Sequence, residues 1–491
     1  MDLISWLNRT FQTNILSAPL AAMAGGAEGV SVVHSMAVQG EASPEEALPA
    51  ATMAPEDTSV AEPEEQPTTL PDIEAIKRVL EQYAAQTDAH FEAETNASRQ
   101  EDPEGKPIVR LANTLIQLAI RERASDIHIE WMPRYVRVRY RIDGVLQEAR
   151  PMPHYLYSPL IHRYKILAGI DMATHRGQPQ EGRVPIRYQG NDYNIRVHSQ
   201  PTQNGEHLAF HIDSRNDIQL GFAELGFTPS MQAQLERLTG RSSGLLLVAG
   251  PSGSGKTTLQ YSILNHCNTV GVHTATVETR ATHTLSGTTQ IVVDSAEGGT
   301  LASTLREALL NDVDVVGVSD IGDKATVQAA LDAAAGSLVI ATLRGDSALS
   351  TLVRLTSMGF DPGLIAETVC GVIGLRLVRK VCGYCKETYA IPGRDMRGFG
   401  DTLEDPEAEV ALARGTGCAY CHQTGYRGRV GLYELFRWDP TLVKLFTERA
   451  SLAHLQEAAF QNEQMRDLRA DGLVKVLAQM TTPEEVLRAC D

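Results

Sequence analysis

The chain has 491 residues, of which 43% are hydrophobic and 21% charged, a globular composition with room for about three or four domains. Its formal net charge of −17 excludes a surface built to coat nucleic acid, which needs clustered Lys and Arg. No run of about 18 apolar residues occurs, so no membrane-spanning helix is expected.

Met1 to Gly26 reads as an amphipathic docking helix or a disordered tail. A secretory signal is disfavoured by Asp2 in the place of a positive leader and by Asn14 inside the apolar segment. Residues from about 20 to 70 are rich in Ala, Pro, Glu, Thr and Ser and lack periodicity, as a disordered linker does. A helical patch through Ile73, Ile76, Val79, Leu80 and Tyr83 follows, then an acidic linker from Asp88 to Glu104.

From Pro107 the residues Ile108, Leu111, Leu115, Leu118 and Ala119 form one helical face. Ala124–Glu130 and Val136–Ile142 alternate like strands, with Asp143-Gly144 as a turn signal. A helix through Ile161, Ile166, Leu167 and Ile170 and strands at Arg183–Tyr188 and Tyr193–His198 complete an α+β domain. A connector with one helix, Pro229–Leu238, leads to the apolar run Leu245–Ala249.

That run is followed by Gly250-Pro251-Ser252-Gly253-Ser254-Gly255-Lys256-Thr257 and then a helix that opens with Thr258. Strand, GxxxxGK[ST] loop and helix form a phosphate-binding loop: glycines aim backbone N–H groups inward and the helix start adds positive charge. Lys256 is expected to reach the β- and γ-phosphates of ATP, and Thr257 to offer its hydroxyl to Mg²⁺. Beyond it, strands at Thr274–Glu278, Gln290–Val293, Val313–Val318 and Leu338–Thr342 alternate with helices such as Thr300–Leu310 and Lys324–Ala334. This βαβ succession predicts a mostly parallel sheet covered by helices.

After Leu375 the pattern breaks into a cysteine-containing region. Cys382-Gly-Tyr-Cys385 and Cys418-Ala-Tyr-Cys421 are two C-x-x-C pairs, 32 residues apart (418 − 385 − 1). Four thiolates make a closed tetrahedral Zn²⁺ site, structural rather than catalytic; paired redox dithiols or inert cysteines are the alternatives. His422 reads as a surface residue. From Pro440 onward the chain reads helical, with a helix start at Thr481-Thr482-Pro483-Glu484-Glu485.

Together these residues resemble the bacterial secretion and type IV pilus assembly ATPases, hexameric motors related to the type II secretion ATPase. The resemblance rests on Ala124–Glu130, Arg139–Val145, Pro179–Arg183 and Pro201–Glu206, on the phosphate loop, and on Gly417–Arg429, Asp471–Val476 and Thr481–Val486. It implies an α/β fold with a RecA-like P-loop core, an N-terminal α+β domain, a tetracysteine zinc module and a C-terminal helical module. The expected boundaries are 1–104 for the variable acidic region, 105–220, 221–375, 376–436 and 437–491. It also implies that Arg183 and Arg196 reach a neighbour's nucleotide, and that His128, on a strand of the family motif, is packed or hydrogen-bonded rather than ligating.

The departures gather around the γ-phosphate. Glu278 remains of the family's acidic pair, but Thr279 and Arg280 follow it. Where the family has Gly-Glu-Ile-Arg-Asp, this chain has Ser319-Asp320-Ile321-Gly322-Asp323. Two family histidines are replaced by Ser337 and Arg344, one arginine by Leu310, and two N-terminal-domain arginines by His207 and His211. Asp320 keeps the carboxylate on a side chain one methylene shorter, a withdrawal of roughly 1 Å that can cost about 100-fold in rate. Arg344 is a candidate compensating charge.

The expected function is an ATP-binding subunit, with Asp320 and Glu278 as catalytic carboxylates and impaired hydrolysis, in a secretion or pilus machine. The alternative is a non-hydrolysing scaffold beside an intact paralogue. Expected partners are further copies or a paralogue in a hexamer and an inner-membrane platform protein, not nucleic acid. The expected location is cytoplasmic, peripheral at the inner membrane.

Overall fold

The computed structural model describes residues 106–490, apart from 150, 172–176, 215–219, 295–297, 397, 400–406 and 462–464. The docking helix, linkers and helical patch expected before residue 105 lie outside the described residues.

The first layer begins with α1 (Lys106–Arg121) and the strands β1 (Ala124–Trp131), β2 (Val136–Ile142) and β3 (Val145–Glu148). Helix α2 (Tyr157–Leu167) precedes β4 (Gln180–Tyr188), β5 (Asn191–Thr202) and β6 (Gly205–Ser214). These strands form an antiparallel sheet in the order β3-β2-β1-β6-β5-β4. The period-two pattern decides its faces. Ile127, Ile129, Val138, Val197, Leu208 and Phe210 are buried, on the face packed by α1 and α2. Tyr140 Oη of β2 and Tyr164 Oη of α2 donate to the Leu115 and Ala112 carbonyls of α1, bonds that tie that helix to the sheet and to α2. The other face is polar. The expected Asp143-Gly144 turn is present, with φ of 49° and 86°, the positive pair that a tight hairpin needs.

The second layer follows α3 (Pro229–Thr239), whose N-cap Thr228 accepts from the Met231 N–H. Strand β7 (Gly244–Ala249) leads into α4 (Lys256–Cys267), β8 (Thr274–Glu278), β9 (Thr289–Val292) and α5 (Leu301–Leu309). Then come β10 (Val315–Val318), α6 (Lys324–Ala333), β11 (Leu338–Leu343), α7 (Ala348–Ser357), α8 (Pro362–Thr368) and β12 (Val369–Val381). Strands β13 (Lys386–Pro392) and β14 (Glu409–Gly415) pair as a hairpin of their own. Strand β15 (Tyr426–Phe436) precedes the helices α9 (Pro440–Thr447), α10 (Leu452–Gln461), α11 (Leu468–Leu477) and α12 (Pro483–Cys490).

The large sheet has the order β15-β12-β7-β11-β10-β8-β9 and is parallel except for the β12–β15 pair. Every residue of β7, β8, β10 and β11 is buried, as expected of a parallel sheet covered on both faces. The expected boundary at 375/376 falls within a strand. Strand β12 runs unbroken through 375/376, and β15, drawn from the cysteine-containing stretch, adds to the nucleotide-domain sheet. The main-chain ladder continues through β12 even though Arg376, Arg379 and Lys380 interrupt its apolar pattern. The C-terminal helices are tied to these two strands. Arg379 binds the Glu485 carboxylate at 2.6 Å, and the Tyr433 N–H donates to Asp471 at 2.8 Å.

Candidate nucleotide site and tetracysteine centre

Parallel register brings the candidate residues together. Ala249 of β7 pairs with Leu343 of β11, and Ala341 of β11 pairs with Val318 of β10. The segments leaving these carboxyl ends therefore start side by side: the phosphate loop at Gly250, Arg344 after β11, and Asp320 two residues after β10. This edge is where open α/β sheets bind ligands.

The loop is built for close backbone approach. A Cβ at Gly250 would stand 2.4 Å from Ser254 Oγ and 2.7 Å from the Leu375 carbonyl. Gly255, with φ of 95°, supplies the left-handed residue that turns the loop into α4. No side chain caps this helix, so the first amides, at Lys256, Thr257 and Thr258, have no intrahelical acceptor and form an anion site. Ser254 Oγ is buried without a hydrogen-bond partner, as befits a loop shaped for polar phosphate oxygens. The Lys256 ammonium donates to the Gly250 and Pro251 carbonyls at 2.9 and 2.8 Å. Burial holds Lys256 below the usual lysine range; Asp320 opposes this, and Arg344 and Arg376 add to it. These donors fit ATP. Thr257 would hold Mg²⁺, an ion that neutralises charge on the phosphates.

Asp320 adopts a left-handed conformation, φ 42°. Its N–H donates to Thr342 Oγ1 at 2.7 Å, and its carbonyl accepts the Gly322 N–H at 2.7 Å. Aspartate tolerates this region better than most residues. The carboxylate faces Arg344 Nε at 3.7 Å, with both side chains more than half exposed. Glu278 is placed differently. Its carboxylate is buried at the end of β8, accepting from Tyr261 Oη, from Thr276 Oγ1 at 2.6 Å and from Gln290 Nε2 at 3.4 Å. Ser319 Oγ accepts from the Thr279 N–H and ties this strand end to that of β10. Ser337 donates to the Val313 carbonyl, and Leu310 is 85% exposed. The sequence reading missed Arg376, a half-buried cation on β12 that donates to the Leu375 and Asp346 carbonyls beside the loop. A charged residue in an otherwise apolar strand was its only signal.

Arg183 and Arg196 pair across β4 and β5 on the N-terminal sheet. Arg196 is bound to Asp213 at 3.1 Å. Among the described residues neither bonds to the phosphate loop.

The tetracysteine expectation has matching geometry. The Sγ atoms of Cys382, Cys385, Cys418 and Cys421 all lie within 4.8 Å of one another. The separations 382–418, 385–421 and 418–421 are 3.8, 3.8 and 3.7 Å. Four sulfurs about 2.3 Å from a tetrahedral zinc ion stand roughly 3.8 Å apart. Burial opposes ionisation of Cys421, but the Cys418 and Gly425 N–H groups donating to its sulfur prevail and hold the thiol below its usual range. Burial pushes the Cys382 and Cys385 thiols up, so it is the spacing of the four sulfurs that fits Zn²⁺. This centre also anchors the N-terminal domain: His422 binds Glu122 at 2.7 Å, and the Gly428 N–H donates to Asp143 at 2.7 Å.

Solved structures and sequence relatives agree with this architecture. The Legionella pneumophila ATPase DotB superposes with a TM-score of 0.56 at 16% identity, covering 81% of this chain and 97% of that one. The pilus retraction motor PilT with bound ADP gives 0.51 at 23% identity, covering 76% and 95%. Type II secretion system protein E of Pseudomonas aeruginosa is 38% identical over 390 residues, 79% of this chain and 76% of that protein. Type II secretion system ATPase E of Vibrio cholerae is 35% identical over 426 residues, 85% of this chain and 83% of its own length. The family described as type II/IV secretion system protein matches residues 101–488, and the chain belongs to this family of secretion ATPases.

Proposed function

We propose that the chain is the ATP-binding subunit of a type II secretion or type IV pilus assembly machine, and that it hydrolyses ATP slowly. The observation that carries this reading is a complete phosphate loop beside a shortened carboxylate, Asp320, that is engaged by Arg344 at 3.7 Å. Phosphoryl transfer depends on positioning and on charge stabilisation. The loop amides and Lys256 bind and orient the β- and γ-phosphates. Asp320 orients the attacking water, from a position set back by its missing methylene. Arg344 and Arg376 supply further positive charge near Lys256. Glu278 serves as a second carboxylate only by giving up its bonds to Tyr261 and Thr276, so Asp320 is the first candidate.

Arg183 and Arg196 are proposed to complete the nucleotide site of an adjacent copy, in a homo-hexamer or a mixed hexamer with a paralogue. Cys382, Cys385, Cys418 and Cys421 would hold a zinc ion, which would cross-link the tetracysteine region. The chain's proposed place is the cytoplasmic side of the inner membrane, against a platform protein of a secretion or pilus machine. No described helix is long and apolar enough to cross a membrane.

A second reading, a non-hydrolysing scaffold beside an intact paralogue, draws on the same Asp320–Arg344 pair. Single-turnover hydrolysis measured beside nucleotide binding separates the two. Binding with slow but Lys256-dependent turnover supports the first; binding with no turnover supports the second. Turnover as fast as that of relatives carrying the longer glutamate contradicts both.

A further inference from the structure

Strand β15 is buried from residue 430 to 436, and one charged side chain, Glu434, stands among its apolar ones at 3% exposure. Antiparallel register sets Glu434 directly opposite Gly374 of β12, so the two share a face of the sheet. Gly374 leaves the space that the carboxylate takes: a Cβ there would stand 2.9 Å from Glu434 Oε2 and 3.4 Å from the Ala348 nitrogen. Across that gap Glu434 Oε2 accepts the Ala348 N–H at 3.2 Å. This amide opens α7 and has no intrahelical acceptor, while the N-cap Ser347 is taken by the Ser350 N–H.

The segment pinned in this way guides Arg376. Arg376 lies two residues beyond Gly374, hence on the same face of β12, and is a diagonal neighbour of Glu434. It donates to the Asp346 carbonyl at 2.8 Å and to the Leu375 carbonyl at 3.2 Å. The Asp346 carboxylate is 97% exposed and 3.9 Å away, so screening leaves it little hold on the guanidinium. The carbonyl is the anchor, and its place is fixed two residues on by Glu434. Arg376 in turn raises the positive potential at Lys256, beside a phosphate loop whose Gly250 packs against the Leu375 carbonyl.

The fold alone does not explain a charge at position 434. Burial raises the Glu434 carboxyl to about 7; the Ala348 N–H opposes this, Asp467 adds to it, and Arg376 opposes it. A carboxyl raised in the native state costs stability as pH climbs from 4.5 to 7. A Gln would accept the same N–H without that cost. What Gln lacks is a negative charge facing Arg376, whose half-buried guanidinium otherwise meets only carbonyl dipoles and a solvated carboxylate.

We infer that Glu434 is a positioning residue for ATP turnover: from β15 it pins the start of α7 by a hydrogen bond and steadies Arg376 by charge, keeping that cation beside Lys256. Among the described residues Glu434 makes no bond to the phosphate loop, so it acts on rate rather than on nucleotide binding. This role deepens the proposed hydrolysis and rests on it.

The test compares the full wild-type chain with Glu434→Gln in single-turnover hydrolysis, Mg²⁺-ATP affinity and melting temperature, at pH 6 and at pH 8. At pH 8 the variant should turn over roughly tenfold more slowly with affinity within about threefold, yet melt higher. At pH 6, where wild-type Glu434 also holds its proton, the two rates should meet. In an Arg376→Ala background the Glu434 change should no longer slow turnover. A variant as fast as wild type at pH 8, an equal loss at both pH values, or an undiminished loss without Arg376 overturns the inference. A wild type with no turnover at all contradicts the hydrolysis reading itself, and the inference falls with it.

Discussion

Replacing Asp320 by Glu tests the hydrolysis account at its narrowest point. The substitution extends the carboxylate by about one C–C bond, roughly 1.5 Å, toward the phosphate loop. A displacement near 1 Å is worth about 100-fold in rate, or about 2.7 kcal/mol of barrier. Two further effects accompany the substitution. The left-handed backbone at φ 42° suits Asp better than Glu and adds on the order of 1 kcal/mol to the cost of folding; that lowers stability rather than turnover. The Arg344 pair is more than half exposed on both sides, so it is worth about 0–1 kcal/mol. Releasing Asp320 by Arg344→Ala alone should then change turnover by less than about fivefold. Single-turnover hydrolysis of Asp320→Glu, with nucleotide affinity measured in parallel, should show a 10- to 100-fold gain at unchanged affinity. No gain in Asp320→Glu, or full recovery in Arg344→Ala, refutes the reasoning.

Other outcomes follow from the same structure. Cys418→Ser should lose the tetracysteine zinc and, with it, thermal stability, read as metal content and melting temperature; a metal-free wild type of equal stability contradicts the assignment. Glu485 is held down to about 2 from its ordinary 4.5: burial raises it, but hydrogen bonds from Arg379 and Arg488 outweigh that. Its contribution, about 3 kcal/mol, is complete above pH 4.5 and is lost as pH falls toward 2, so Glu485→Gln should destabilise by about that amount at pH 7 in urea melts. Burial raises Glu434 to about 7. Its native state holds a proton more tightly than the unfolded chain, so stability falls as pH rises from 4.5 to 7. Glu434→Gln, which keeps an acceptor for the Ala348 N–H, should flatten that fall and gain up to about 3 kcal/mol at pH 8.

The parts of the fold that could be read in the sequence are those where local chemistry and tertiary role coincide. Gly244–Ala249 is apolar throughout and buried throughout, and the loop after it needs its glycines for reasons of backbone geometry alone. The cysteine spacing announced four converging sulfurs. Strand β12 was hidden because Arg376, Arg379 and Lys380 serve the loop, the C-terminal helices and solvent rather than a core. Strand β6 was hidden because its outward positions, His207, His211 and Asp213, resemble a loop until partners across the sheet are known. The pairing of His128 with His207, 79 residues apart, depends on a register that no local pattern encodes. The burial of Glu278 was equally invisible, since it requires α4 to bring Tyr261 over the end of β8.

The central claim is that this chain closes a cradle of backbone amides around a nucleoside triphosphate. Equilibrium binding of Mg²⁺-ATP to the purified chain, with Lys256→Ala beside it, measures that directly. The account predicts saturable binding that the variant weakens at least tenfold. No measurable affinity in the intact chain, or equal affinity in the two proteins, contradicts it.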